Sequence, residues 1–290
     1  NSFIRTPGLD RLAAIGTRFS TAYAPTPTCT GSRLSIQFGK SSARMQYRNV
    51  FDVLSSVQRP DGYDDEVTLA EMLKASGKNY VTAMFGKGCS TMGRFDEAGY
   101  DFTDEGPGEP GGNGNGHGSY WDVKKKTPFP KNNPKRMHSL SKDSVDFVNQ
   151  HAGKQPFFLM VSHYAVHIPH MATHEAFLRN KQRWIAEGRD VDKIDNENSS
   201  VYRDIVYAAM TEELDMNIGA LIDALEEKGE LANTYIIFTS DNGGGHSQRR
   251  KVEGQSRRFN GPLQEGKRSM FEGGIRVPTV IAGPQIQAGA

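Results

Sequence analysis

An α/β fold, a mostly parallel sheet sandwiched by helices, is predicted by three features of this 290-residue chain. Short apolar runs recur at Tyr80 to Phe85, Phe157 to Val161, Tyr235 to Thr239 and Pro278 to Ile281. Segments of helical periodicity alternate with them, and the polar clusters fall just after the runs. Strands buried on both faces read this way in parallel sheets, whose ligands sit beyond the strand carboxyl ends.

The elements follow in order. Thr6 is expected to cap a short helix with Pro7 at its first position, Leu9 and Leu12 on one face and Gly16 as the stop. Thr17 to Tyr23 alternates, with Phe19 and Tyr23 on one side, and is expected as a strand. Cys29-Thr30-Gly31-Ser32-Arg33 is expected in a loop at the mouth of an apolar helical stretch. Residues 68–76 read as a helix closed by Gly77, and the run to Phe85 ends in Gly86-Lys87-Gly88. Gly106 to Gly118, rich in glycine, proline and asparagine, reads as a loop or disordered excursion. Leu140 to Gln150 is a further helix. The clearest one runs from about Val201 to Lys228, where Leu214, Ile218, Leu221, Ile222 and Leu225 repeat at helical spacing before Gly229.

No internal repeat or boundary divides the chain, so residues 1–290 read as a single domain. The sequence begins at Asn1 without a methionine or leader and stops soon after a strand-like run, so it is expected to be truncated at both ends. Lys and Arg total 35 against 34 Asp and Glu, a net charge of +1, which gives no field selecting nucleic acid. No stretch approaches the ~20 apolar residues of a membrane span. Two cysteines, Cys29 and Cys89, make no disulfide framework.

Several clusters carry possible chemistry. Cys29 has Arg33 four residues on, at a helix mouth where N–H groups and a guanidinium both favour negative charge. Asp241-Asn242 follow a buried strand and precede three glycines; a carboxylate beside an amide oxygen suits a hard cation, although a plain Asp-Asn-Gly turn has the same residues. His163, His167 and His170 follow another strand. Their spacing matches no common zinc pattern, and one of them as a general acid is the better functional reading. Lys87 and Lys267 each follow a glycine that can aim an ammonium into a cleft.

In order, Thr6 to Leu12, Cys29 to Arg33, Gly86-Lys87, His167-Ile168-Pro169, the Asp215 to Glu227 helix, Thr239 to Gly244 and Gly266 to Pro278 resemble the type I sulfatases of the alkaline-phosphatase-like superfamily. The resemblance spans nearly the whole chain. It implies the sulfatase N-terminal catalytic domain, here without its first strand, which carries two calcium-binding aspartates, and without the C-terminal subdomain. It also implies that Cys29 is oxidised by a formylglycine-generating enzyme. The hydrated aldehyde then attacks sulfur in a sulfate ester, and its second hydroxyl later expels sulfate.

Carried over residue by residue, Arg33 holds the aldehyde, Lys87 and Lys267 clamp sulfate oxygens, and His167 stands near the leaving oxygen. Asp241, Asn242 and the modified Cys29 ligate Ca2+, with Mg2+ an alternative. His246, Arg249 and Arg250 are candidate contacts to a sulfated glycan. A periplasmic, secreted or lysosomal location is the family expectation. Gly31 stands where the family has proline or alanine, and Gly88 and Cys89 where it commonly has tryptophan and histidine. A phosphonate monoester or phosphodiester hydrolase, and an inactive glycan-binding relative, remain alternative readings.

Overall fold

The computed structural model describes residues 3–47, 66–88, 95–104, 132–245 and 260–290, and the backbone of two small hairpins, Trp121–Asp122 with Thr127–Pro128 and Lys251–Val252 with Gln255–Ser256. The Gly106 to Gly118 excursion, Cys89, His246, Arg249 and Arg250 lie outside the described residues.

Helices are α1 (Pro7–Ile15), α2 (Cys29–Phe38), α3 (Leu69–Ala75), α4 (Met137–His151), α5 (His174–Ala186), α6 (Ser200–Glu227) and the short α7 (Glu272–Ile275). Strands are β1 (Gly16–Phe19), β2 (Val81–Gly86), β3 (Phe102–Thr103), β4 (Phe157–Ser162), β5 (Ile236–Thr239) and β6 (Thr279–Ala282). The α/β architecture is as expected, and the strand directions refine it. Strands β3-β2-β4 pair in parallel, whereas β6 runs antiparallel to both neighbours in β1-β6-β5. Parallel pairing needs a covering crossover between strands. After β5 the chain instead doubles back, Gly243 N–H donating to Gly274 O at 2.9 Å, and enters β6 from the opposite end.

Helix α6 organises the core. Its 28 residues have buried positions on every side, because three helices and both sheets lean on it. Ile222 meets Leu12 of α1 and Val280 of β6; Ile205 meets Trp184 of α5; Ala224 and Leu225 meet Val148 of α4 beneath Leu159 of β4 and Ile236 of β5. The last cluster ties the parallel strands and the antiparallel strands to one helical layer.

Three local expectations are corrected. Thr6 occupies the N-cap position of α1 but its side chain makes no cap bond. Asp215 of α6 does that work, its carboxylate accepting from Gly8 N at 2.7 Å and Leu9 N at 2.8 Å. Strand β1 ends at Phe19 rather than Tyr23, because its partner begins at Thr279, after Pro278, which has no N–H to donate. Cys29 to Arg33 is helical rather than a loop: Thr28 is extended, and Ser32 N–H already reaches Thr28 O at 3.2 Å.

Candidate active site

The site is assembled at strand ends. Strands β2 and β4 run in register to Gly86 and Ser162, and Lys87 N–H donates to Ser162 O at 2.7 Å. This brings Lys87, only 3% exposed, beside the segment that leads to His167. From α2, Cys29 and Arg33 stand one helical turn apart and therefore share a face. Arg33 Nη1 donates to Lys87 O at 2.6 Å and to Ser162 Oγ, which itself donates to Lys87 O at 2.6 Å. Arg33 Nε and Nη2 both approach Asp241 Oδ2, at 2.8 and 2.7 Å. One guanidinium thus gathers the ends of β2, β4 and β5.

Lys267 arrives on a loop fastened to two other parts of the site. Its own N–H donates to Gly244 O at 2.8 Å, and Arg268 N–H donates to Pro27 O at 2.8 Å. The result places Lys267 Nζ 4.0 Å from Cys29 Sγ. Cys29 is a free thiol. Burial opposes its ionisation, but the charges of Lys87, Lys267 and Arg33 outweigh burial and Asp241 together, so the thiol titrates below its usual value. For Asp241, likewise, burial is overcome by Arg33, Lys87 and Lys267, which hold the carboxyl below the usual range.

His167 Nδ1 lies 2.7 Å from Ile168 O, so this nitrogen carries the proton and donates. Burial, helped by Lys87, Lys267 and Lys135, pushes His167 down to about 4. The resting imidazole is therefore neutral, with Nε2 available as an acceptor. Cys29, Arg33, Lys87, His167, Asp241 and Lys267 are thus brought together, linked by these contacts and by mutual charge effects.

Asn242 Oδ1 is buried without a hydrogen-bond partner, while its Nδ2 donates to Gly243 O at 2.8 Å. An orphaned amide oxygen next to a carboxylate fits a hard, oxygen-seeking cation. Among the described residues no cluster of three or more His, Cys, Asp or Glu side chains is arranged to hold a metal ion.

Two residues were not singled out from sequence. Ser162 links Arg33 to Lys87, and only its position at a strand end hints at this. Lys135 is 1% exposed and left-handed (φ 55°), and burial together with Lys87 pushes it down to about 7. Nothing in the Asn132-Asn133-Pro134-Lys135 turn marks it out.

The Sulfatase family model matches residues 1–289. This chain belongs to the sulfatase family. Human N-acetylgalactosamine-6-sulfatase is 29% identical, with 96% of this chain and 52% of that protein aligned. Bovine arylsulfatase A is 30% identical over 96% of this chain and 54% of its own length. The crystal structure of Ps i-CgsB superposes with a TM-score of 0.69 at 25% identity, covering 99% of this chain and 62% of that one. This sulfatase chain spans about half the length of the curated relatives it matches. No helix among its described residues is long and apolar enough to cross a membrane.

Proposed function

We propose that the whole protein hydrolyses sulfate esters, sulfated carbohydrate foremost, at the crevice around Cys29. The observation that carries this reading is the cluster of cations about one nucleophile position: Lys267 Nζ 4.0 Å from Cys29 Sγ, Arg33 on the same helix face, and buried Lys87, whose charge also acts on the thiol. Such a cluster in a largely water-free site favours an anion, and more strongly the charge that grows on sulfate oxygens during S–O cleavage.

Oxidised to formylglycine by its generating enzyme, Cys29 supplies the hydrated aldehyde that attacks sulfur. Lys87 and Lys267 hold sulfate oxygens from two sides. Arg33, fixed by Asp241 and the Lys87 carbonyl, keeps the nucleophile turn against the strand ends. His167 faces the same two lysines. A bound sulfate ester offsets their charge and so raises the imidazole's affinity for a proton, which Nε2 can then pass to the leaving oxygen. Asp241 and the unpartnered Asn242 Oδ1 are the oxygens offered to Ca2+ or Mg2+, which adds Lewis-acid charge at the sulfate when bound. They provide two of the roughly six to eight oxygens that calcium takes.

The names of the relatives favour a sugar sulfate as substrate, the N-acetylgalactosamine-6-sulfatases most directly. The test uses full-length protein co-expressed with the generating enzyme. It is assayed on an aryl sulfate, on sulfated galactosamine and on a phosphonate monoester, while the Cys29 peptide is weighed by mass spectrometry. Sulfate release that disappears with Cys29→Ala supports the reading. Faster turnover of the phosphonate overturns the substrate class, and an intact thiol with no turnover overturns the activity.

A further inference from the structure

We propose that Tyr47 is a positioning residue for the Cys29 turn, seated in space that only a glycine at position 31 leaves open. Its consequence for catalysis rests on the sulfatase reading; the fit itself is geometric.

Gly31 is the third residue of α2 and does not take a left-handed φ, so no special backbone conformation calls for glycine there. In a helix interior glycine is worse than alanine by about 1 kcal/mol. Space is what excludes a side chain. A β-carbon on Gly31 would stand 2.6 Å from Tyr47 Cε1, 2.8 Å from Tyr47 Cδ1 and 2.8 Å from Thr26 Oγ1. Real β-carbons do not approach other atoms so closely.

Tyr47 is packed where it stands. It is 7% exposed and packs with Leu34, Phe38 and Met45, themselves buried. Its own N–H is tied to Ser42 O at 2.9 Å. The ring therefore presses on the α2 turn from a fixed wall. Its hydroxyl lies 3.3 Å from Thr28 Oγ1, on the residue before Cys29. From the other side Thr26 Oγ1 donates to Thr28 O at 2.8 Å and lies 3.2 Å from Ser32 Oγ. Cys29 is thus bracketed by Thr28 and Gly31, each in contact with the same tyrosine. The proline or alanine that the related pentads carry would collide with this ring, so the glycine is a packing requirement of this chain and not a mark of a decayed site.

The test reads Cys29 directly and does not depend on turnover. Full-length protein is produced without the generating enzyme, so that Cys29 keeps its thiol. Its alkylation by iodoacetamide at fixed pH is followed on the Cys29 peptide by mass spectrometry, beside the thermal midpoint. Gly31→Ala and Tyr47→Val are each expected to change the alkylation rate about fivefold or more, and the double variant to return within about twofold of wild type, as coupling between touching residues predicts. Tyr47→Phe keeps the ring against Gly31 and loses only the hydroxyl at Thr28, so it is expected to shift the alkylation rate less than Tyr47→Val does.

A general loss of packing would lower the midpoint in all variants without restoring Cys29 in the double. Unchanged alkylation in Tyr47→Val, or a double variant no better than its parents, overturns the proposal. If Gly31→Ala does not fold, Tyr47→Val decides alone. Matured wild-type protein with no sulfate hydrolysis would sink the assigned reaction and leave the Tyr47 coupling standing.

Discussion

Two nitrogens of Arg33, Nε and Nη2, converge on a single oxygen of Asp241 at 2.8 and 2.7 Å, although 208 residues separate the pair. Lysine carries the same charge but lacks the planar fork, so it cannot hold Asp241 and the Lys87 carbonyl together. Arg33→Lys is therefore expected to lower kcat/KM by about a hundredfold or more. The thermal midpoint should also fall, because the side chains are only 11% and 20% exposed and Asp241 would lose its partner. Steady-state kinetics with calorimetry checks both. Full activity in the lysine variant would remove Arg33 from the positioning scheme.

Lys267 Nζ lies 4.0 Å from Cys29 sulfur. In protein kept in the thiol form, Lys267→Ala takes away one of the charges that offset burial, so the Cys29 titration should move upward. The pH profile of alkylation at the Cys29 peptide measures the shift. In the matured enzyme the same change is expected to cost about 10²–10³ in kcat, the usual size for losing one aimed donor. Lys267→Arg should recover part of it.

Acid should weaken the fold through His163, whose Nδ1 is buried without a partner. Burial, assisted by Arg33, pushes its imidazole down to about 4. Between that value and the ordinary one near 6.5 the unfolded chain binds the extra proton and the folded chain does not. Stability therefore rises with pH across this window and is lost as pH falls through it, by on the order of 1–3 kcal/mol. Urea midpoints from pH 7.5 to 4.5 report the slope, and His163→Asn should reduce it, leaving the part contributed by His167, which is held equally low. An unaltered slope in that variant would assign the acid sensitivity elsewhere.

Strand ends and amphipathic helices were legible because their signals are local. The apolar runs became β2, β4, β5 and β6, and the repeat of Leu214, Ile218, Leu221 and Leu225 became part of α6. The chemistry-bearing residues were legible for a related reason, since each stands in or next to a turn rich in glycine or proline. Helix α5 was hidden because its large apolar residues stand as two separated pairs, Phe177-Leu178 and Trp184-Ile185, with Arg, Asn, Lys and Gln between them. The helical state of Thr30-Gly31-Ser32 runs against local propensity and shows only in the backbone, where Thr28 is extended and Ser32 N–H reaches Thr28 O. Direction in β6 was hidden too, because an apolar run reads the same whichever way it pairs.

Asp215 offers the sharpest separation of fold from function. It lies in α6 yet caps α1, and its two oxygens take the Gly8 and Leu9 N–H groups. Gly8 lets the helices close, since a β-carbon there would stand 2.5 Å from the Asp215 carbonyl oxygen. Asp215→Ala strands both donors in a buried place and is expected to cost about 1–2 kcal/mol of stability or somewhat more. Asp215→Asn keeps one oxygen acceptor of similar shape, so its loss should be smaller. Neither variant touches Cys29, Arg33, Lys87 or Lys267, and kcat/KM at temperatures well below the midpoint should stay within about twofold of wild type. Denaturant unfolding and aryl sulfate kinetics on the same samples check the pair. Should Asp215→Ala abolish turnover while its unfolding midpoint stays put, the carboxylate acts on the site and not as a distant cap.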